Sequence, residues 1–195
     1  MTLSRRLTLA LLCCAILFTA VYSIQATASQ DRGGSYSSVT PLSEKSRQWF
    51  LDQFGQEQSL VNLLHAVNRF ACENFRYTDQ EYFLIQTFDL NKFLFETPYE
   101  GVCFEFACFL KCAVVVWAEH HGRTDIRCYV YSVKLSDGSH HAVNFIYEGE
   151  TLYFIDITDS STRAQRGEKK DALYRVNITA EAFLDKANWE VEAIN

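Results

Sequence analysis

Residues 126–157 read IRCYVYSVKLSDGSHHAVNFIYEGETLYFIDI, and their period decides the fold class. Apolar and polar side chains alternate over 126–135, 140–147 and 150–157, the two-residue period of strands with one buried face. Ser136-Asp137-Gly138-Ser139 and Glu148-Gly149 supply turn chemistry between them, which predicts three consecutive antiparallel strands. A two-residue turn at Glu148-Gly149 sets His141 opposite Asp156, Val143 opposite Phe154 and Phe145 opposite Leu152. A turn at Asp137-Gly138 sets Lys134 opposite His141 and Cys128 opposite Tyr147, placing Cys128 on the His141 face.

Upstream the period is helical. Ser43 caps a helix that Gly55 stops, and Ser59 opens a second with Leu60, Leu63, Leu64, Val67, Phe70 and Ala71 on one side. A short third helix opens at Asp89 and breaks at Thr97-Pro98-Tyr99-Glu100-Gly101. A fourth begins at Cys103 and runs to Gly122. Downstream, 159–171 reads as a charged loop, followed by a strand over 173–178 and a closing helix over 179–187. Helices followed by successive hairpins give an α+β fold, with an antiparallel sheet packed on the fourth helix.

Cys103 stands at the start of that helix, where outward N–H groups and the helix dipole favour a thiolate. A thiol needs a base, and the base needs a carboxylate to fix its tautomer and hold its charge; His141 and Asp156 meet those needs in the predicted register. A helix-start cysteine packed in the core is the structural alternative for Cys103. Asp159 competes for the carboxylate role but falls outside the strand. Tyr99 is a weak candidate for a second oxyanion donor beside the Cys103 N–H.

The 195 residues, 48% hydrophobic and 14% aromatic, suffice for one substantial core. Arg5 and Arg6 precede the apolar stretch 7–24, and Ala26 and Ala28 follow it, the pattern of an export signal cleaved after Ala28. An uncleaved membrane anchor is the alternative. Residues 29–42 then form a polar leader, 43–195 a catalytic domain, and the chain works outside the cytoplasm without stable membrane insertion. Cleavage removes two of the 18 basic residues and none of the 24 acidic ones, leaving a net charge of −8. That balance, with no basic stripe, excludes a nucleic-acid partner. Cys72, Cys103, Cys108, Cys112 and Cys128 remain. Any disulfide is expected to join Cys72 or Cys128 to Cys108 or Cys112, leaving Cys103 out.

The three ordered motifs, Gly101-x-Cys103-x-x-Phe106-Ala107, His141-Ala142-x and Asp156-x-Thr158, resemble the core of the transglutaminase-like superfamily. Phe75-Arg76-Tyr77 and the stretch 89–95 fit its secreted bacterial members, and the resemblance covers about residues 59–160. It implies a papain-like fold, with Cys103 as nucleophile, His141 as base and Asp156 as the orienting carboxylate. It also implies a protein or peptide amide as substrate and no cofactor or metal. Members include cross-linking enzymes, deamidases and peptidases, and some are inactive, so a catalytically idle binding module at the cell envelope is the rival reading. One departure is Val143, where the family usually carries Trp.

Overall fold

The computed structural model describes residues 38–78, 87–168 and 173–194. Residues 1–37, which hold the expected export signal and most of the expected leader, lie outside the described residues. The last leader residues are tied down. Ser38–Val39 (β1) pairs in parallel with Thr87–Phe88 (β3), and the Asn91 side chain accepts from the Ser43 N–H at 2.8 Å while donating to the Pro41 carbonyl at 3.0 Å.

Ser43 and Ser59 each accept the N–H three residues ahead, and α1 (Glu44–Phe54) and α2 (Leu60–Asn74) start there. Phe75–Tyr77 (β2) follows directly, and Asp89 caps the single turn α3 (Leu90–Phe93). Tyr99–Gly101 (β4), read from sequence as a break, instead pairs in parallel with β2, Tyr77 opposite Gly101. Three-residue strands are too short to show a period, so this pairing had no sequence signal.

The next helix, α4 (Cys103–His120), is apolar on nearly every side and is correspondingly buried, from Phe104 and Phe106 through Leu110 and Val114 to Trp117. One side packs on the sheet and the other on α1 and α2, where Phe109 sits among Trp49, Phe50, Phe54, Phe70 and Phe75. Among the described residues, no helix is long and apolar enough to cross a membrane.

Ile126–Lys134 (β5), His140–Glu148 (β6) and Thr151–Ile155 (β7) are the three predicted strands, within a fully antiparallel five-stranded sheet. Both registers differ from expectation. Between β5 and β6 the loop closes with Leu135 N–H on the Ser139 carbonyl and Gly138 at φ +87°, so Lys134 faces His140 and Cys128 faces Ile146. That one-residue slip separates Cys128, which packs toward α4, from His141, which alternates with Val143 and Phe145 on the opposite face. Between β6 and β7 the turn is Gly149-Glu150, giving Phe145 opposite Phe154, a slip of two that preserves parity.

The run expected to be a loop is instead α5 (Ile157–Gln165), which starts at an Asp156 cap and buries Ile157, Thr158, Ser160 and Ser161. Its Ser and Thr content gives it weak helical propensity; packing against α2 and an Asp159–Arg163 pair one turn apart override that. Leu173–Val176 (β8) joins the β7 edge, and Glu190–Ile194 (β9) joins β5. Between them α6 (Ala180–Ala187) covers a second core on the far face, with Phe183 and Leu184 against Phe145 and Phe154. The architecture is α+β.

Candidate active site

Cys103 is the first residue of α4, and the turn before it is built to close tolerance. The Val102 N–H donates to Glu105 Oε2 at 3.0 Å, so a carboxylate from inside the helix caps the helix start. A Cβ at Gly101 would lie 2.3 Å from that same oxygen; only glycine lets the carboxylate in. Burial raises the Glu105 carboxyl, opposed by its bond to the Val102 N–H. On the other side, the β2 pairing and the Thr78 N–H on the Gly101 carbonyl at 2.9 Å hold the strand that delivers the cysteine. Cys103 is 2% exposed.

His141 and Asp156 meet, though not across the hairpin as predicted. Pairing between β6 and β7 stops at Asn144 and Ile155, so His140 to Val143 project past the end of β7. In the space beyond, the chain turns out of the sheet at Asp156 and enters α5. Asp156 Oδ2 lies 2.7 Å from His141 Nε2, and Oδ1 accepts the Asp159 N–H at 2.9 Å. Because β7 does not wall off this end of β6, the imidazole, although it belongs to the α6 face, also hydrogen-bonds the Cys103 thiol at the start of α4. Nε2 is engaged by Asp156, which leaves Nδ1 for the sulfur. Burial pushes the imidazole pKa down, but hydrogen bonds to Asp156 and Cys103 and their negative charge outweigh it and carry His141 up to about 10.

The remaining candidates fall elsewhere. Arg163 Nε donates to both Asp159 oxygens, at 2.7 and 2.9 Å, so the rival carboxylate serves an ion pair. Tyr99 is packed among Phe70, Phe75 and Phe93 with its hydroxyl toward the Leu94 carbonyl, a core role rather than an oxyanion donor. His140 is exposed and 2.8 Å from Glu192; His121 meets the Gly55 carbonyl at 3.0 Å; His65 and His120 are exposed. No disulfide joins the described cysteines. Burial raises the thiols of Cys72 and Cys108 and pushes Cys112 and Cys128 up to about 12.

A cleft of about 550 Å³ opens beside the imidazole and carboxylate, walled by Tyr77, Phe154, Tyr174 and Trp189. Trp189 stands edge-on to His141, with ring centroids 6.4 Å apart and planes at 88°. Nothing local in the sequence marks Trp189. It arrives through α6 and β9, from 48 residues further along the chain than His141.

No family model matches the chain, and no curated protein does. Two solved structures are similar to it. One is a candidate cysteine protease from Cytophaga hutchinsonii, with 16% identity, a TM-score of 0.44, and coverage of 78% of this chain and 49% of that one. The other is a transglutaminase, with 15% identity, a TM-score of 0.39, and coverage of 77% and 40%. The chain thus spans about half, or less, of the length of each.

Proposed function

We propose that the protein is a cysteine-dependent acyl-transfer enzyme acting on peptide or protein amides, exported through the 1–28 segment. The observation that carries this reading is the position of His141, one imidazole hydrogen-bonded both to the Asp156 carboxylate and to a thiol at a helix N-terminus. The core and the sheet require no such arrangement, and a binding module would have no use for it.

Chemically the steps follow from the geometry. The thiol proton passes to His141 Nδ1, giving a thiolate and an imidazolium whose charge Asp156 holds. The sulfur forms a bond to the amide carbon, the carbonyl electron pair moves to oxygen, and the Cys103 backbone N–H in the first turn of α4 faces the oxyanion. Collapse breaks the C–N bond, and the departing amine takes the imidazolium proton. Water or a second amine then attacks the thioester, gives its proton to His141 and releases the thiolate, so the outcome is hydrolysis or cross-linking. Since the leaving amine takes its proton from His141, the aromatic-walled cleft on the imidazole side holds the amine half of the substrate.

The test is activity on denatured casein, read both as new peptide ends and as incorporation of a fluorescent primary amine. Wild-type protein is expected to give one or both products and Cys103→Ala neither. Products unchanged in Cys103→Ala would reject the reading.

A further inference from the structure

Asn144 is 1% exposed within an otherwise apolar interface between the sheet and α4. The buried side chains of Ser46, Ser160 and Ser161 sit at helix starts. Ser46 bonds Ser43 and Asn91 at the start of α1, and Ser160 and Ser161 bond carbonyls at the start of their own helix. Asn144 instead joins the sheet to α4. Its Nδ2 donates to the Ala107 carbonyl of α4 at 3.0 Å, with the Cys128 sulfur at 3.8 Å and the Tyr129 carbonyl at 3.5 Å around the same group.

Its place in the fold matters as much as its bonds. Asn144 is the last β6 residue with a partner on β7, three residues from His141, and Ala107 lies one helical turn from Cys103. The strand bearing the base and the helix bearing the nucleophile are therefore pinned together next to the point where β6 runs on past the end of β7. Apolar packing resists separation of helix and sheet, but it tolerates small sliding because it is non-directional. A buried hydrogen bond with one donor and one acceptor position does not.

We propose that Asn144 is a positioning residue: it fixes the axial placement of α4 against β6 and thereby holds Cys103 at His141. This rests on the acyl-transfer reading above. It assigns Asn144 no contact with substrate. Ala107 keeps its place in the α4 hydrogen-bond ladder without Asn144, so losing the side chain loosens placement more than it unfolds the helix.

The test compares Asn144→Leu, which fills the volume, Asn144→Ala, which avoids overpacking, and Val130→Ala, which opens a cavity at the directly paired β5 position without touching the hydrogen bond. Three quantities are read on each folded protein: the iodoacetamide alkylation rate of Cys103 by peptide mapping, the His141 titration midpoint by nitrogen-15 NMR, and the melting temperature. Both Asn144 variants are expected to slow Cys103 alkylation by about tenfold to a hundredfold and to lower the His141 midpoint, while Val130→Ala changes neither at a comparable melting temperature. Wild-type alkylation and titration in the Asn144 variants would overturn the proposal. So would Val130→Ala moving both as far, since that is general loosening. Failure of the acyl-transfer reading looks different: wild-type protein turns over no amide while both readouts still depend on Asn144.

Discussion

Asp156 divides its carboxylate between two tasks, Oδ2 meeting His141 Nε2 at 2.7 Å and Oδ1 capping α5 through the Asp159 N–H at 2.9 Å. The cap fixes the orientation of the group that orients the base, and the positive end of the α5 dipole favours its charge. Asp156→Asn keeps a capping oxygen, because Asn caps helices as well as Asp. Its amide then faces Nε2 and forces the proton onto Nδ1, where it blocks acceptance of the thiol proton. Turnover is expected to fall by about 10³–10⁴-fold, with a melting temperature near wild type. Asp156→Ala should lose the cap as well, at about 1 kcal/mol. Steady-state kinetics and thermal melts on both variants check this. An active Asp156→Asn beside an inactive Asp159→Asn would mean the other acid is used.

The charge state of His141 sets the alkaline limit. With its pKa raised to about 10 beside Asp156 and Cys103, the imidazole keeps the proton it takes from the thiol through neutral pH and can donate it to the leaving amine. As pH rises through about 10 that proton is lost and acylation should slow. Asp156→Asn removes the charge that holds the proton, so its alkaline limb is expected at lower pH. In Cys103→Ala, no thiol shares the proton, and the His141–Asp156 pair should stabilise the fold fully below the unfolded histidine pKa of about 6.5. That contribution is lost as pH rises through the folded value. Rate profiles and denaturant melts between pH 6 and 11 measure both effects.

Gly101 and Glu105 should behave as a coupled pair. A Cβ at Gly101 meets Glu105 Oε2 at 2.3 Å and Phe106 Cε1 at 3.2 Å, so Gly101→Ala is expected to cost about 1–3 kcal/mol. Glu105→Ala loses the bond to the Val102 N–H, about 1 kcal/mol. The double variant removes the worse clash and should be more stable than the sum of the two losses. Strict additivity in a double-mutant cycle would show that the carboxylate does not hold the turn.

Much of this arrangement is legible in the sequence because it is local. The serine caps at 43 and 59, the helix start at Cys103 and the alternation of β5 to β7 each follow from a few neighbouring residues. The two-residue register shift between β6 and β7 preserves parity because the side-chain period is two, but His141 and Asp156 meet past the end of β7 rather than as a cross-strand pair. The same period made the one-residue error between β5 and β6 costly, and Cys128 went to the wrong partner. That error turned on the length of the loop, which has three residues, Ser136 to Gly138, between Leu135 and Ser139 rather than two. The parallel pairing of β2 with β4, Trp189 beside His141 and the Asn144 bond to Ala107 are long-range contacts with no local signature. The helix after Asp156 was hidden by its Ser and Thr content.

The central claim, that His141 activates Cys103, is tested most directly by competition among the five described thiols. Limiting iodoacetamide at pH 7, followed by peptide mapping, ranks Cys72, Cys103, Cys108, Cys112 and Cys128 in one experiment. Burial holds Cys112 and Cys128 at about 12 and raises Cys72 and Cys108, so these four should label slowly. Cys103 is expected to label first although it is only 2% exposed, and to lose that lead in His141→Ala. Equal, slow labelling of all five in the wild-type protein, or a Cys103 lead that persists without His141, would contradict the account.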